Sequence, residues 1–257
     1  MSSESNLFQT KAENTTEIPL STLRILLWDI DGTLVRSRVN GAFKDYFIPT
    51  MKKVFGSVGN FEKMQFSGMT DTQIIYESLR EEGFTPEQIF EKKEELLKVF
   101  QAEMTAIFER NFEQHEILAG VRGILAAAAE TPLFYNSLLT GNLSVAAEIK
   151  LRSVDLWHYF SDSPNAFGEI SHNRNDLATE AGKLFNERFD FEFAPSQFIV
   201  IGDTPNDIIC ARHFGAKAVA VGTGRGQFKH KLLAEKPDVF LDDLSNTNEV
   251  LKILSAL

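Results

Sequence analysis

The sequence predicts an α/β protein in which a doubly wound parallel sheet forms the core and a helical lobe is inserted after the first strand. Five short, continuously apolar runs are spaced along the chain, and such runs are typical of strands covered on both faces. Helical patterns separate the later runs, and a long stretch after the first run has helical periodicity alone. The runs are Arg24–Trp28, Leu133–Leu139, Phe198–Ile201, Ala218–Val221 and Val239–Leu241.

Start and stop signals indicate the helices between the later strands. Asn142 is a candidate N-cap of a helix that runs to about Arg152. The segment Asp207–Phe214 is followed by Gly215, a residue that commonly ends a helix. A short amphipathic helix is predicted over Asn248–Leu254. Strand and helix therefore alternate, as a doubly wound sheet requires.

The helical lobe is predicted over residues 36–116. Apolar residues recur at near-helical spacing from Ile89 to Phe112, with Glu and Lys between them. Thr85 is a candidate N-cap for this helix and is followed by the proline and glutamine of a capping box. A further helix is predicted over Gly41–Phe55, which Pro49 should kink or divide.

These patterns divide the 257-residue chain into three parts. Residues 21–35 and 117–257 are predicted to form the α/β core, and residues 36–116 the inserted lobe. Residues 1–20 are polar and contain few large apolar groups. We expect them to form a flexible leader.

The composition excludes several classes of protein. The net charge is −10, from 26 basic and 36 acidic residues, whereas a protein that binds duplex nucleic acid needs a basic face. No apolar run is long enough to span a membrane, and the first residues lack the apolar stretch of a signal peptide. The single cysteine, Cys210, cannot form an internal disulfide. We expect a cytoplasmic protein with no nucleic-acid or membrane partner.

The first predicted strand ends in two aspartates. Asp29 and Asp31 are two residues apart, so in extended backbone their side chains face the same way and can converge. Gly32 allows a sharp turn after them because it has no Cβ. Two carboxylates this close repel each other unless a cation or a shared proton holds them together.

Polar groups also follow two of the later strands. Thr140 supplies a hydroxyl, and Gly141 and Asn142 supply backbone amides at a predicted helix start, which favours an anion. Asp203 and Asp207 are four residues apart where another helix begins, so both can face the same crevice. Ligands bind beyond the carboxyl ends of the strands in such sheets. Four carboxylates meeting there predict a divalent cation, and Mg²⁺ prefers oxygen ligands.

Three of these segments carry a resemblance to a known family. The segment DIDGTL at residues 29–34 resembles the signature of the haloacid dehalogenase (HAD) superfamily. The segment LLTGN at residues 138–142 is similar to its second motif, and GDTPND at residues 202–207 to its fourth. The resemblance spans about residues 23–245. It implies a Rossmann-like core, with the lobe in the place of the helical cap of the phosphoglycolate-phosphatase-like branch.

The resemblance also implies catalytic and metal-binding roles. Asp29 would be the nucleophile that attacks phosphorus and forms an aspartyl-phosphate. Asp31 would protonate the leaving oxygen and then deprotonate the incoming water. Asp29, Asp203 and the backbone carbonyl of Asp31 would hold Mg²⁺, with Asp207 as a ligand or as a residue that orients the ligands.

Phosphate binding needs hydrogen-bond donors to the phosphoryl oxygens. It also needs a cationic side chain on the side of the phosphoryl group that faces away from the metal ion. The groups implied for phosphate contact are Gly32, Thr140, Gly141 and Asn142. Two residues are candidates for the cation. Arg174 lies at a predicted helix start and is favoured, whereas Lys183 lies nine residues further along, within the helix, where a solvated position is common.

Other features are assigned ordinary structural roles. The glycine-rich segment at residues 222–226 follows a late strand and is interpreted as a plain loop. Cys210 lies among apolar residues and is interpreted as part of the core. Arg36 and Arg38 follow the first motif and would either guide an anionic substrate or lie at the surface of the hinge.

Taken as a whole, the sequence predicts a Mg²⁺-dependent phosphatase that hydrolyses a small phosphorylated metabolite through an aspartyl-phosphate. A phosphomutase or phosphonate hydrolase on the same scaffold is the alternative among enzymes. A regulatory binding protein without catalysis is the alternative from another class, and the intact carboxylate set argues against it. The protein is expected to be a monomer or a homodimer.

Overall fold

The computed structural model describes residues 7–9, 17–110, 115–224 and 229–257. Its strands are β1 (Leu7–Gln9), β2 (Glu17–Pro19), β3 (Arg24–Trp28), β4 (Val35–Ser37), β5 (His115–Ile117), β6 (Phe134–Leu138), β7 (Phe198–Gly202), β8 (Lys217–Val221) and β9 (Val239–Leu241). Its helices are α1 (Lys44–Phe55), α2 (Asp71–Leu79), α3 (Pro86–Glu91), α4 (Lys93–Arg110), α5 (Val121–Glu130), α6 (Ser144–Ser153), α7 (Leu177–Phe189), α8 (Pro205–Phe214), α9 (Lys229–Ala234) and α10 (Thr247–Ala256). Within these ranges, no helix has both the length and the apolar character needed to cross a bilayer.

The core is a five-stranded parallel sheet in the order β6-β3-β7-β8-β9. Strand β3 alternates its side chains between two apolar clusters: Leu26 and Trp28 belong to one, and Ile25 and Leu27 to the other. Helices α5, α6 and α10 contribute to the first cluster, and α7 and α8 to the second. Because both faces are covered, the strands are largely apolar, and the buried Asn136 and Ser137 of β6 are hydrogen-bonded. The predicted doubly wound α/β fold is confirmed.

The inserted lobe consists of α1 to α4 and has an apolar core of its own. It is linked to the sheet by β4 and β5, which pair in antiparallel fashion. Ala146 of α6 and Leu143, which precedes that helix, belong to the same apolar cluster, so the lobe packs directly on the core. The capping box before α3 is confirmed, since the Thr85 side chain accepts from the Gln88 amide and the Gln88 side chain accepts from the Thr85 amide.

The structure limits two local predictions. Pro49 does not divide its helix, because α1 is continuous over Lys44–Phe55 and buries Phe47 and Met51 on the face towards the lobe core; a kink at Pro49 stays a prediction. That burial offsets the one helical hydrogen bond that the proline removes. The leader is not wholly flexible either, since β1 and β2 pair and Leu20 is buried at 2% exposure. Residues 1–6 and 10–16 of the predicted leader lie outside the described residues.

Candidate active site

The three segments with the HAD-like motifs meet at the carboxyl-terminal edge of the sheet. Asp29 follows β3, Thr140 lies two residues beyond β6, and Asp203 follows β7. Asp207 reaches the same place from the first turn of α8. Asp29, Asp203 and Asp207 are all buried, and one carboxylate oxygen of each lies within 4.8 Å of the others. This arrangement follows from parallel pairing, which brings the ends of neighbouring strands to one edge.

Arg174 completes this buried cluster. Its Nη2 donates to Asp29 Oδ1 at 3.3 Å and also to Asp207 Oδ1. The arginine is only 6% exposed, and its Nε has no partner among the described residues. The favoured candidate cation therefore lies beside the predicted nucleophile.

Lys183, the alternative cation, is not brought to the cluster. It lies on the outer face of α7, with a side chain that is 61% exposed and forms an ion pair with Glu180 at 2.6 Å. An exposed pair of this kind within one helix contributes little to stability.

The Asp31 carboxylate separates from the other three, contrary to the expectation of four converging carboxylates. Its Oδ2 accepts hydrogen bonds from Lys150 Nζ at 2.6 Å and from Asn142 Nδ2 at 2.8 Å. Lys150 is buried on α6 and also donates to Asn142 Oδ1 at 2.6 Å. The Asp31 side chain keeps 46% of its surface exposed, which leaves it open to reacting groups.

Lys150 is the site residue that sequence analysis missed. A lysine on a helix is usually solvated, and no motif marks this one. The sequence contains one indication that Lys150 is buried, which is its position along the helix. It shares the buried face of α6 with Ala146, Ala147 and Leu151. A charged group on an apolar face needs a partner, and here the partner is Asp31.

Asn142 is not the N-cap that the sequence predicts. Helix α6 begins at Ser144, and the Asn142 side chain bonds to Asp31, Lys150 and Thr140 instead. The first amides of α6 are satisfied from other segments, since Asp71 accepts from the Leu143 amide at 2.8 Å and Glu169 from the Ser144 amide at 3.0 Å. Carboxylates at a helix start also favour its dipole.

Asp207 is held in place by two kinds of donor. Its Oδ2 accepts from the Thr204 amide at 2.9 Å and from the Thr204 hydroxyl at 2.8 Å, and its Oδ1 accepts from Arg174. Both oxygens therefore have protein partners, which suits a residue that orients Arg174.

Thr140 is fully buried, and its hydroxyl accepts from the Asn142 side chain at 2.8 Å.

The loop at residues 222–224 packs against the site at Gly32 and Asp203. The Thr223 hydroxyl donates to the Gly32 carbonyl at 2.6 Å, and Arg36 donates to the Thr223 carbonyl. A Cβ on Gly224 or on Gly32 would overlap the Asp203 carboxylate, and Gly32 has a φ of +95°. Only glycine allows the backbone to approach that carboxylate so closely. Residues 225 and 226 lie outside the described residues.

Asp29 and Asp203 differ from Asp31 in their proton affinity. Burial and the charge of Asp207 raise the pKa of Asp29 to about 7, and burial and the charge of Asp29 raise the pKa of Asp203 well above its ordinary value. Burial also acts to raise the pKa of Asp31, but the ammonium of Lys150 outweighs it and holds that pKa below the ordinary value. Carboxyl groups that resist ionisation next to a carboxylate that is held ionised are typical of active sites.

The contribution of Asp29 to the thermal stability of the metal-free protein should fall as the pH rises from about 4 to about 7. The pKa of Asp29 is about 7 in the folded chain and 3.8 ordinarily, so its contribution is complete below the lower value, falls between the two values and is lost once the pH passes the higher one. Melting temperatures measured in chelator should show this slope in the wild type and a shallower slope in Asp29→Asn. Equal slopes would contradict the assigned pKa.

A cavity of about 410 Å³ separates this edge of the sheet from the helical lobe. Asp29, Asp31 and Arg174 line it on the core side, and aromatic residues line it on the lobe side. Several hydrogen bonds join the lobe to the core beside it. Among them, Asn206 Nδ2 donates to the Gly68 carbonyl at 2.8 Å, and the Asp71 amide donates to the Gly141 carbonyl at 2.7 Å. The lobe therefore covers the cluster in the described structure.

Comparison with known proteins supports the resemblance of the motifs. Residues 177–247, which include Asp203 and Asp207, match the family model described as HAD-hydrolase-like. No curated protein matches the sequence significantly.

Solved structures match nearly the whole chain. They include a predicted phosphoglycolate phosphatase from Haemophilus somnus 129pt (18% identity, 91% of this chain and 99% of that chain, TM-score 0.57). A hydrolase from Pseudomonas syringae matches at 19% identity over 90% and 98% of the two chains, with a TM-score of 0.59. A protein from Thermotoga maritima provisionally named a beta-phosphoglucomutase matches at 19% identity over 90% and 99%, with a TM-score of 0.55. At these identities the likeness establishes the shared fold, and the family match over residues 177–247 confirms the resemblance of that segment to HAD-type hydrolases.

Proposed function

Since the chain contains a HAD-like hydrolase domain, we propose that it is a Mg²⁺-dependent phosphatase that hydrolyses a small phosphorylated metabolite. The observation that carries the proposal is the buried cluster of Asp29, Asp203 and Asp207 beside Arg174, at the base of a covered cavity. It combines an anionic nucleophile with the cationic group needed to bring a phosphate monoester next to it.

The residues present fit a divalent metal ion. Three buried carboxylates face a single guanidinium, so ionising all three leaves an excess of negative charge that a divalent cation would neutralise. The donors are oxygen atoms, which Mg²⁺ prefers. Asp29, Asp203 and the backbone carbonyl of Asp31 would hold it, with Asp207 beside them. When bound, the ion supplies Lewis-acid polarisation of the phosphoryl group and neutralises charge that would repel Asp29.

The chain's own groups account for the two chemical steps. A carboxylate oxygen of Asp29 bonds to phosphorus, and the bond between phosphorus and the leaving oxygen breaks while Asp31 relays a proton from the bound, singly protonated phosphate monoester to that oxygen. Asp31 then takes a proton from water, whose oxygen attacks phosphorus and releases phosphate from Asp29. The ion pair with Lys150 favours the ionised form of Asp31 that accepts this proton. Arg174 faces the developing negative charge.

Phosphate release from acetyl phosphate and from a panel of phosphorylated metabolites tests the proposal. We expect activity to vanish in chelator and to return with Mg²⁺. The variant Asp203→Asn should raise the Mg²⁺ requirement by at least about tenfold, because a carboxylate in or beside the coordination shell is lost. Full activity in chelator would contradict the metal assignment. Transfer of the phosphoryl group to a sugar phosphate without release of phosphate would instead indicate a mutase.

A further inference from the structure

The cavity above the carboxylates has two chemically different ends. At the sheet edge it is lined by the charged groups already described. At the lobe side it is lined by an aromatic shell consisting of Phe43, Tyr46, Phe47, Phe66, Phe100 and Phe108. A phosphoryl group bound beside Asp29 therefore directs the rest of its substrate towards that shell.

The aromatic shell is tightly packed. The rings of Phe43 and Phe66 meet edge to face with centroids 5.2 Å apart, and Phe100 meets Phe47 and Tyr46 in the same way at 5.3 Å each. Phe47 and Phe100 are only 2% and 1% exposed, so their orientations are fixed by their neighbours. The half-buried rings of Phe43 and Phe66 present C–H groups and π faces to the cavity, and a phenylalanine ring supplies no hydrogen-bond donor for a sugar hydroxyl.

Lys150 and Asp71, two of the charged groups nearest the shell, already have partners, whereas the buried Nδ1 of His115 has none among the described residues. Lys150 bonds to Asp31 and to Asn142, and the Asp71 carboxylate accepts from the Leu143 amide. His115 lies in the cavity wall with its ring stacked on Phe108, at a centroid distance of 5.5 Å and an interplanar angle of 17°. A polyhydroxylated leaving group would give up its hydrogen bonds to water here and find few replacements.

We propose that the substrate is a phosphate monoester of a small, predominantly apolar alcohol, with an aromatic or alicyclic carbon skeleton and not a sugar. This inference rests on the proposed phosphatase function. Water is consumed, the bond between phosphorus and the ester oxygen breaks, and the apolar alcohol and inorganic phosphate are released. A cavity of about 410 Å³ lies within the usual size range for small-molecule sites, and the hydroxyl of Tyr46 accommodates a single polar substituent.

A matched pair of substrates tests this inference. Cyclohexylmethyl phosphate and glucose 6-phosphate both carry a six-membered ring on a phosphorylated methylene, and they differ in the ring hydroxyls and ring oxygen. We expect the wild-type protein to hydrolyse cyclohexylmethyl phosphate with a kcat/KM at least about tenfold higher, because each hydrogen bond left unmade lowers transition-state binding. Acetyl phosphate serves as the control for the chemistry, since its leaving group is small.

Variants of the aromatic shell test whether its residues cause the preference for cyclohexylmethyl phosphate over glucose 6-phosphate. Phe66 and Phe43 are only half-buried, so Phe66→Gln and Phe43→Gln place an amide in the wall at a tolerable cost. Each should reduce the ratio of the two kcat/KM values by at least about fivefold, a change that a lost apolar contact can produce. Phe84 is half-buried in the same lobe, packs on Phe55 and lies outside the cavity lining. Phe84→Gln should leave the ratio unchanged.

Binding measurements separate recognition from turnover. In Asp29→Asn with Mg²⁺, cyclohexylmethyl phosphate should raise the melting temperature more than glucose 6-phosphate at the same concentration. No hydrolysis of acetyl phosphate would overturn the phosphatase proposal itself. Hydrolysis of acetyl phosphate together with equal or better use of glucose 6-phosphate would overturn the substrate inference alone. An unchanged ratio in folded Phe66→Gln and Phe43→Gln would likewise overturn it.

Discussion

Replacing Asp29 with asparagine is expected to lower phosphate release by about 10⁴-fold or more, the scale at which loss of a catalytic nucleophile acts. Asparagine keeps the shape of the side chain but cannot form the acyl phosphate. The fold should survive, because the substitution removes one negative charge from a crowded, buried cluster. Steady-state kinetics at saturating Mg²⁺, together with a melting curve, measure both effects.

A matched control separates this effect from the loss of any aspartate. Asp190 is an exposed residue at the end of α7 with a φ of 48°, a conformation that asparagine adopts readily. Asp190→Asn should therefore retain wild-type kinetics and stability. Turnover in Asp29→Asn comparable to that of Asp190→Asn would show that Asp29 is not the nucleophile.

The second large effect is expected at Arg174. Arg174→Ala should lower kcat by roughly 10²–10³-fold, as when one preorganised donor to the transition state is removed. The guanidinium contacts both Asp29 and Asp207, so its loss also leaves buried carboxylates without their countercharge. Arg174→Lys keeps the charge but loses the planar arrangement of donors and should recover only part of the activity.

Lys183→Ala is the comparison for Arg174→Ala. Lys183 is exposed, and its ion pair lies within its own helix. The kcat of Lys183→Ala should therefore differ from that of the wild type by less than about threefold. Kinetics of the two alanine variants at saturating Mg²⁺ are directly comparable. A severe loss at position 183 with none at position 174 would reverse the assignment of the cation.

The fold could be predicted because burial on both faces leaves a clear pattern in the sequence. Strand β3 contributes side chains to both apolar clusters and is therefore apolar from Ile25 to Trp28. The positions of Asp29 and Asp203 followed from the same argument, since parallel strands end at one edge of the sheet. The site was thus predictable wherever a functional residue lies directly after a strand.

The remaining contacts depend on segments far apart in the chain. Lys150 meets Asp31 across 119 residues, and the Asp71 carboxylate binds the Leu143 amide across 72. Asparagine is a common N-cap residue. The Asn142 side chain instead forms charge-assisted hydrogen bonds with Asp31 and Lys150, which are stronger than a capping hydrogen bond to a backbone amide. Local propensity cannot reveal such partners, because the competing interaction exists only in the folded chain.

The most direct measurement traps the phosphorylated protein. Acetyl phosphate has a leaving group that needs little help from an acid, so Asp31→Asn with Mg²⁺ should complete the first step and stall where water must be activated. Mass spectrometry of the acid-quenched protein should then find one phosphoryl group on the peptide that contains Asp29. A phosphoryl group on another residue, or none there while phosphate is released at the wild-type rate, would contradict the mechanism.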